Sequence, residues 1–137
     1  MKERPPASET ELEVLKALWK HGPATVRDLD QVLREEGRRW AYSTILTLVQ
    51  RLQAKRYVRS DRRALAHVFS ASVSREDLLS ERLRALADDV CEGTATPLVR
   101  ALVEGGRFAP GEVEELRRLV QRLEPTAAER KGRKAKD

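Results

Sequence analysis

The sequence predicts a mainly α fold in two small lobes: three helices closed by a short β-hairpin, then three further helices. Three observations predict it. Apolar residues recur at helical spacing in six separate segments, four of them opened by a hydroxyl residue placed to cap. An arginine-rich, strand-like stretch follows the third segment. The charge also changes sign along the chain: residues 1–75 carry 15 basic and 9 acidic side chains, 76–124 carry 7 and 11, and 125–137 carry 5 and 2. That split suits a front half that meets a polyanion and a middle that meets something else. The expected boundaries are 7–73 for the first lobe, 74–124 for the second, and a disordered basic tail over 125–137. The tail holds Lys131, Arg133, Lys134 and Lys136 and no large apolar side chain.

Ser8 and Glu11 form a capping box ahead of Leu12, Leu15 and Trp19, so the first helix runs over about 8–20. His21, Gly22 and Pro23 break it. Thr25 caps a second, short helix striped by Val26, Leu29, Val32 and Leu33, which ends at the polar turn Glu35, Glu36 and Gly37. A third helix, from about Ala41 to Lys55, buries Ile45, Leu48, Val49 and Leu52 and leaves Ser43, Thr44, Thr47, Gln50, Arg51 and Ala54 on the opposite face. Tyr57 to Arg59 read as a strand, Ser60 to Arg63 as a turn, and Leu65 to Phe69 as the return strand, a hairpin tipped by Arg62 and Arg63. Three helices and a basic hairpin make a winged helix-turn-helix.

Beyond Ser74, whose partner Asp77 offers a further capping box, Leu79, Leu83, Leu86 and Val90 draw one apolar seam along a helix of about 17 residues. Thr96 as N-cap and Pro97 as first helical residue open a short apolar helix containing Leu98 and Leu102, closed by Gly105 and Gly106. Val113, Leu116, Val120 and Leu123 stripe a last helix, with Pro125 as its stop. A lobe of about 50 residues seldom builds a stable core by itself. Either these helices fold back onto the first lobe or they pair with a second copy. The seams favour a homodimer, with Leu79, Leu83, Leu86, Val90, Leu98, Leu102, Val113, Leu116 and Val120 at the interface.

The 137 residues exclude a large multidomain enzyme. No uninterrupted apolar run exceeds three residues and Met1 to Pro6 lack the core of a signal peptide, so the expectation is a cytoplasmic chain without membrane insertion. Cys91 is the single cysteine, which forbids an intrachain disulfide and a multi-cysteine zinc site. Cys91 with His21 or His67 lacks an orienting third residue for nucleophilic catalysis and a close ligand pair for a metal. No catalytic residue, metal or cofactor is therefore assigned.

Between Arg38 and Arg63 stand eight basic residues and one acid, Asp61, the densest charge feature ahead of the tail. In a helix-turn-helix the second helix of the motif enters the major groove, its N-terminal part at the base edges. Tyr42, Ser43, Thr44 and Thr47 are thus placed to read bases. Arg51 and Lys55 clamp phosphates, Arg38 and Arg39 add charge at the approach, and Arg62 and Arg63 reach the flanking backbone or minor groove. Leu46, one residue off the core stripe, either touches a thymine methyl or packs against the second helix. The competing reading is a winged helix that binds an acidic protein, as an antirepressor or adaptor.

The order Ser8-x-x-Glu11, Leu15, Leu18-Trp19, Gly22-Pro23, Thr25, Trp40, Ser43-Thr44, Thr47-Leu48, Arg51-Leu52 and a basic wing resembles the penicillinase-repressor family, the BlaI/MecI/CopY type, over about residues 8–123. The resemblance implies a homodimeric repressor on an inverted-repeat DNA operator, one winged helix per half-site, with intertwined C-terminal helices. It also implies a regulatory route: in signalling members a protease pathway cuts an Asn-Phe bond in the helix matching Pro97 to Glu104. Here the matching pair is Ala101-Leu102, so the usual cleavage dipeptide is absent, and a regulatory protease or antirepressor stays unidentified. Copper-sensing relatives carry C-terminal Cys-x-Cys pairs, which this chain lacks. Ala41-Tyr42 stand where the family commonly has Ser-Pro, and Arg56 replaces the Gly that commonly ends the recognition helix, implying a looser or extended helix end.

Overall fold

The computed structural model describes residues 4–63 and 65–123. The tail over 125–137 and the stop at Pro125 lie outside them. The chain runs α1 (Glu9–His21), α2 (Val26–Glu35), α3 (Tyr42–Ala54), β1 (Val58–Arg63), β2 (Ala66–Ala71), α4 (Arg75–Val90), α5 (Thr96–Gly105) and α6 (Pro110–Gln121). Among the described residues no helix is long and apolar enough to cross a membrane.

The caps expected for the first two helices are in place. The Glu11 amide donates to Ser8 Oγ (3.1 Å) and the Asp28 amide to Thr25 Oγ1 (3.1 Å), while Glu11 and Asp28 accept the amides of Ser8 and Thr25 in return. The Thr25 amide, chief among several causes, holds the Asp28 carboxyl below its ordinary value. The stripes of α1, α2 and α3 meet in one core, with Leu15, Leu18, Leu29, Leu33, Ile45 and Leu52 buried around Phe69 of β2. Burying such side chains contributes roughly 1.5–3 kcal/mol each. Gly22 takes φ +90° at the end of α1, and the Trp19 indole donates to the Val73 carbonyl (2.8 Å), which explains the Trp19-x-x-Gly22-Pro23 spacing.

One contact had no periodic signal to announce it. Ala24 and Phe69 exchange both backbone hydrogen bonds (2.9 and 2.8 Å), so the junction between α1 and α2 pairs with the outer edge of β2.

The hairpin is longer than expected. The sequence predicts a turn over Ser60 to Arg63, but β1 extends to Arg63 and pairs Ser60 with Phe69, Asp61 with Val68, Arg62 with His67 and Arg63 with Ala66. The Ser60 hydroxyl accepts a hydrogen bond from Gln53 of α3 (3.0 Å) and is occupied there instead of closing a turn.

The chain divides into two compact units inside α4, between Leu86 and Ala87, later than the expected step at 73/74. Val73 and Leu78 are the reason: both are buried in the core of the first unit, and they hold the start of α4 to it. In the second unit the N-cap of α5 is Ala95 and not Thr96, and α5 ends at Gly105 as expected. No residue of α5 or α6 is buried.

Candidate nucleic-acid interface

The stripe of α3 fixes which face it presents. With Ile45, Leu48, Val49 and Leu52 turned into the core, Tyr42, Ser43, Thr44, Thr47, Gln50 and Arg51 stand on the exposed side, Tyr42 at 61 % exposure. Ala41 supplies no side-chain cap, so this helix begins without the polar partner that α1 and α2 have. Leu46 is half-buried and packs against the core. It also lines a shallow groove with Thr25, Arg27, Tyr42, Leu65, His67 and Phe69.

The arginines before α3 differ in how far they are committed. Arg38 donates toward Glu13 of α1 at 3.3 Å and lies 5.7 Å over the half-buried Trp40 ring. Part of its charge is therefore already neutralised. Arg39, Arg51 and Arg62 are exposed. Arg62 sits within β1 opposite His67, whose ring lies 4.4 Å from that of Phe69, and Arg63 ends the strand. The wing thus carries its arginines along a strand, not on a loop.

Lys55 departs from the expectation of a phosphate clamp. Its side chain is 28 % exposed, and the ammonium binds the carboxylate of Glu11, whose side chain is 2 % exposed, with a further bond to the Pro6 carbonyl (2.9 Å). Burial pushes the Glu11 carboxyl up, but the hydrogen bonds from Lys55 and Ser8 and the Lys55 charge outweigh it and hold the group below its ordinary value. Lys55, the C-cap residue of α3, is thus paired within the fold.

The end of α3 is neither loose nor extended. Arg56 takes φ +71°, the left-handed conformation usually given to glycine, and the amides of Arg56 and Tyr57 donate to the carbonyls of Gln53 (3.0 Å) and Leu52 (2.9 Å). The arginine fills the glycine's conformational role at a steric cost of about 1–2 kcal/mol.

The assembled surface offers hydroxyls, an amide, a phenol and arginines along one helix and one strand, the donor set that base edges and phosphates require. Three members escaped the sequence reading. Gln50 was read as exposed but given no role, Arg27 sits in the first turn of α2, and His67 joins the groove only through the register of the hairpin. Alternation along 65–69 was the available signal for His67.

The sequence profile described as "Penicillinase repressor" matches residues 7–122. The penicillinase repressor of Bacillus licheniformis is 25 % identical over 121 residues, covering 88 % of this chain and 94 % of that one. An uncharacterised 16.5 kDa protein of Latilactobacillus sakei is also 25 % identical over 121 residues, covering 88 % and 82 %. Among solved structures, the monomeric form of Bacillus licheniformis BlaI in complex with the blaP half-operator is similar at 28 % identity, covering 56 % of this chain and 93 % of that one, with a TM-score of 0.47. A MarR family protein from Bacillus stearothermophilus matches at 19 % identity over 87 % and 74 % of the two chains, with a TM-score of 0.45. With the family profile spanning both lobes, the chain belongs to the penicillinase repressor family and is a DNA-binding transcriptional repressor.

Proposed function

We propose that the chain works in the cytoplasm as a homodimer that seats one winged helix on each half-site of an inverted-repeat operator. The observation that carries this reading is the two-faced α3, whose apolar side is buried and whose exposed side presents Tyr42, Ser43, Thr44, Thr47 and Arg51. Arg39 and Arg62 supply backbone contacts, with Arg38 a weaker contributor because Glu13 shares its charge; the side chain of Arg63, also expected there, lies outside what the structure describes. The dimer rests on Leu79, Leu83, Leu86, Val90, Leu102 and Val120, exposed in the single chain, on Leu116 at 36 % exposure, and on the half-buried Leu98 and Val113. Two-fold symmetry places the half-site centres about one helical turn apart, roughly 34 Å, or a multiple of it.

Selection from a random duplex pool at physiological salt tests the reading. It should return an inverted repeat bound about a thousandfold or more above scrambled DNA. Uniform, salt-sensitive binding without enrichment would instead point to an acidic protein partner.

Two substitutions separate reading from clamping. Thr47→Ala should cost about 1 kcal/mol on the selected sequence and little on scrambled DNA, narrowing the ratio between them. An unchanged ratio would remove Thr47 from the base-reading set. Arg62→Ala should weaken every sequence alike and lower the slope of log affinity against log salt by about 0.9 per chain bound. A slope that stays put would take Arg62 off the backbone.

A further inference from the structure

Three consecutive residues ahead of α1 are tied to three consecutive residues behind α3. The Arg4 guanidinium donates through Nε to the Arg56 carbonyl (2.9 Å) and lies 5.7 Å over the Tyr57 ring. The Tyr57 hydroxyl donates to the Pro5 carbonyl (2.7 Å), and Lys55 Nζ to the Pro6 carbonyl (2.9 Å). Burial raises the Tyr57 phenol above its ordinary value, which keeps it protonated as that donor. Two prolines stiffen the segment, so it behaves as a strap rather than a loose arm.

The strap reaches further. Arg4 Nη1 also binds the carboxylate of Glu81, in the second turn of α4. One guanidinium therefore joins the end of the recognition helix to the helix that carries Leu79 and Leu83. The start of α4 has its own anchors: Leu78 in the core, and Arg75 lying 5.5 Å over Trp19, whose indole holds the Val73 carbonyl. Arg75 and Glu81 are six residues apart, about 9 Å along a helix. Two anchored points fix the direction of the first two turns of α4 as well as their position.

We infer that Arg4 is a positioning residue for operator binding: by joining the Arg56 carbonyl to Glu81 it sets the direction of α4 relative to the recognition helix, and so the spacing at which a dimer accepts two half-sites. This rests on the dimeric reading above. An exposed ion pair contributes little to stability, so the strap acts on geometry more than on folding. Rigid linkage raises the effective concentration of the second winged helix at its half-site; a loosened hinge spreads the same pair over many separations.

The test compares the full-length chain with Arg4→Ala and Glu81→Gln on a single half-site and on inverted repeats whose spacer is changed by one base pair at a time. Sedimentation first confirms that the variants assemble as the wild type does. Half-site affinity should stay within about twofold, affinity for the best-spaced repeat should fall about tenfold, and the spacer profile should flatten in both variants. A sharp wild-type optimum that both variants retain would overturn the strap while leaving the dimeric reading intact. An equal loss on half-site and full site would make Arg4 a DNA contact and overturn its positioning role. A wild-type chain that gains nothing from a second half-site would overturn the dimeric reading and the strap's role with it.

Discussion

Lys55→Met should destabilise the chain by about 3 kcal/mol at neutral pH, the cost of leaving a buried carboxylate without its partner. Glu11 has almost no solvent to fall back on, and Lys55 is its cation. Total stabilities of about 5–15 kcal/mol make such a loss plain in urea denaturation. The double variant Glu11→Gln, Lys55→Met removes both charges, keeps an amide able to serve the cap of α1, and should recover to within about 1 kcal/mol of wild type. The pH dependence has a defined sign. In the wild type the Glu11 carboxyl is lowered, so its contribution is fully present above the unfolded value near 4.5 and is lost as pH falls through the folded one. In Lys55→Met, burial without the ammonium raises that carboxyl. The gap between variant and wild type should therefore shrink on acidification. A gap that is small at neutral pH, together with a reduced salt slope in DNA binding, would return Lys55 to the phosphate backbone.

Leu83→Asp should turn the proposed dimer into monomers. Leu83 is 42 % exposed in the single chain and lies on the same face of α4 as Leu79, Leu86 and Val90, about a third of a turn round from the buried Leu78. Pairing would bury the new carboxylate without a cation, a cost of several kcal/mol per chain. Because the site is exposed before assembly, the monomer should keep its fold and its half-site affinity. Affinity for the inverted repeat should drop by about a hundredfold or more as the second contact becomes independent of the first. Sedimentation that still shows dimer would move the interface away from this seam.

What could be read in the sequence followed from how local its cause was. Ser8, Thr25 and the stripes of α1 to α3 act within one or two helical turns, and their spacing alone located both the helices and the exposed face of α3. The misplaced features depend on partners or backbone conformations that no local pattern names. Lys55 looked like one more cation at a helix end because Glu11 lies 44 residues away. Ser60 looked like a turn residue because Gln53, across the α3–β1 corner, was invisible as its donor. Arg56 looked like a broken cap because no sequence rule says that an arginine will accept φ +71° there.

The bare N-cap at Ala41 carries a kinetic meaning. Within the first unit, α1 and α2 start with both halves of a capping box, whereas α3, the proposed reading helix, starts with none. Opening its first turn sacrifices no side-chain bond, so the Thr44 amide, the counterpart of the capped Glu11 and Asp28 amides, should trade hydrogen for deuterium well before those two. The reading head is thus soft at its tip and rigid at its root, and association with DNA should appear as slowed exchange confined to that first turn.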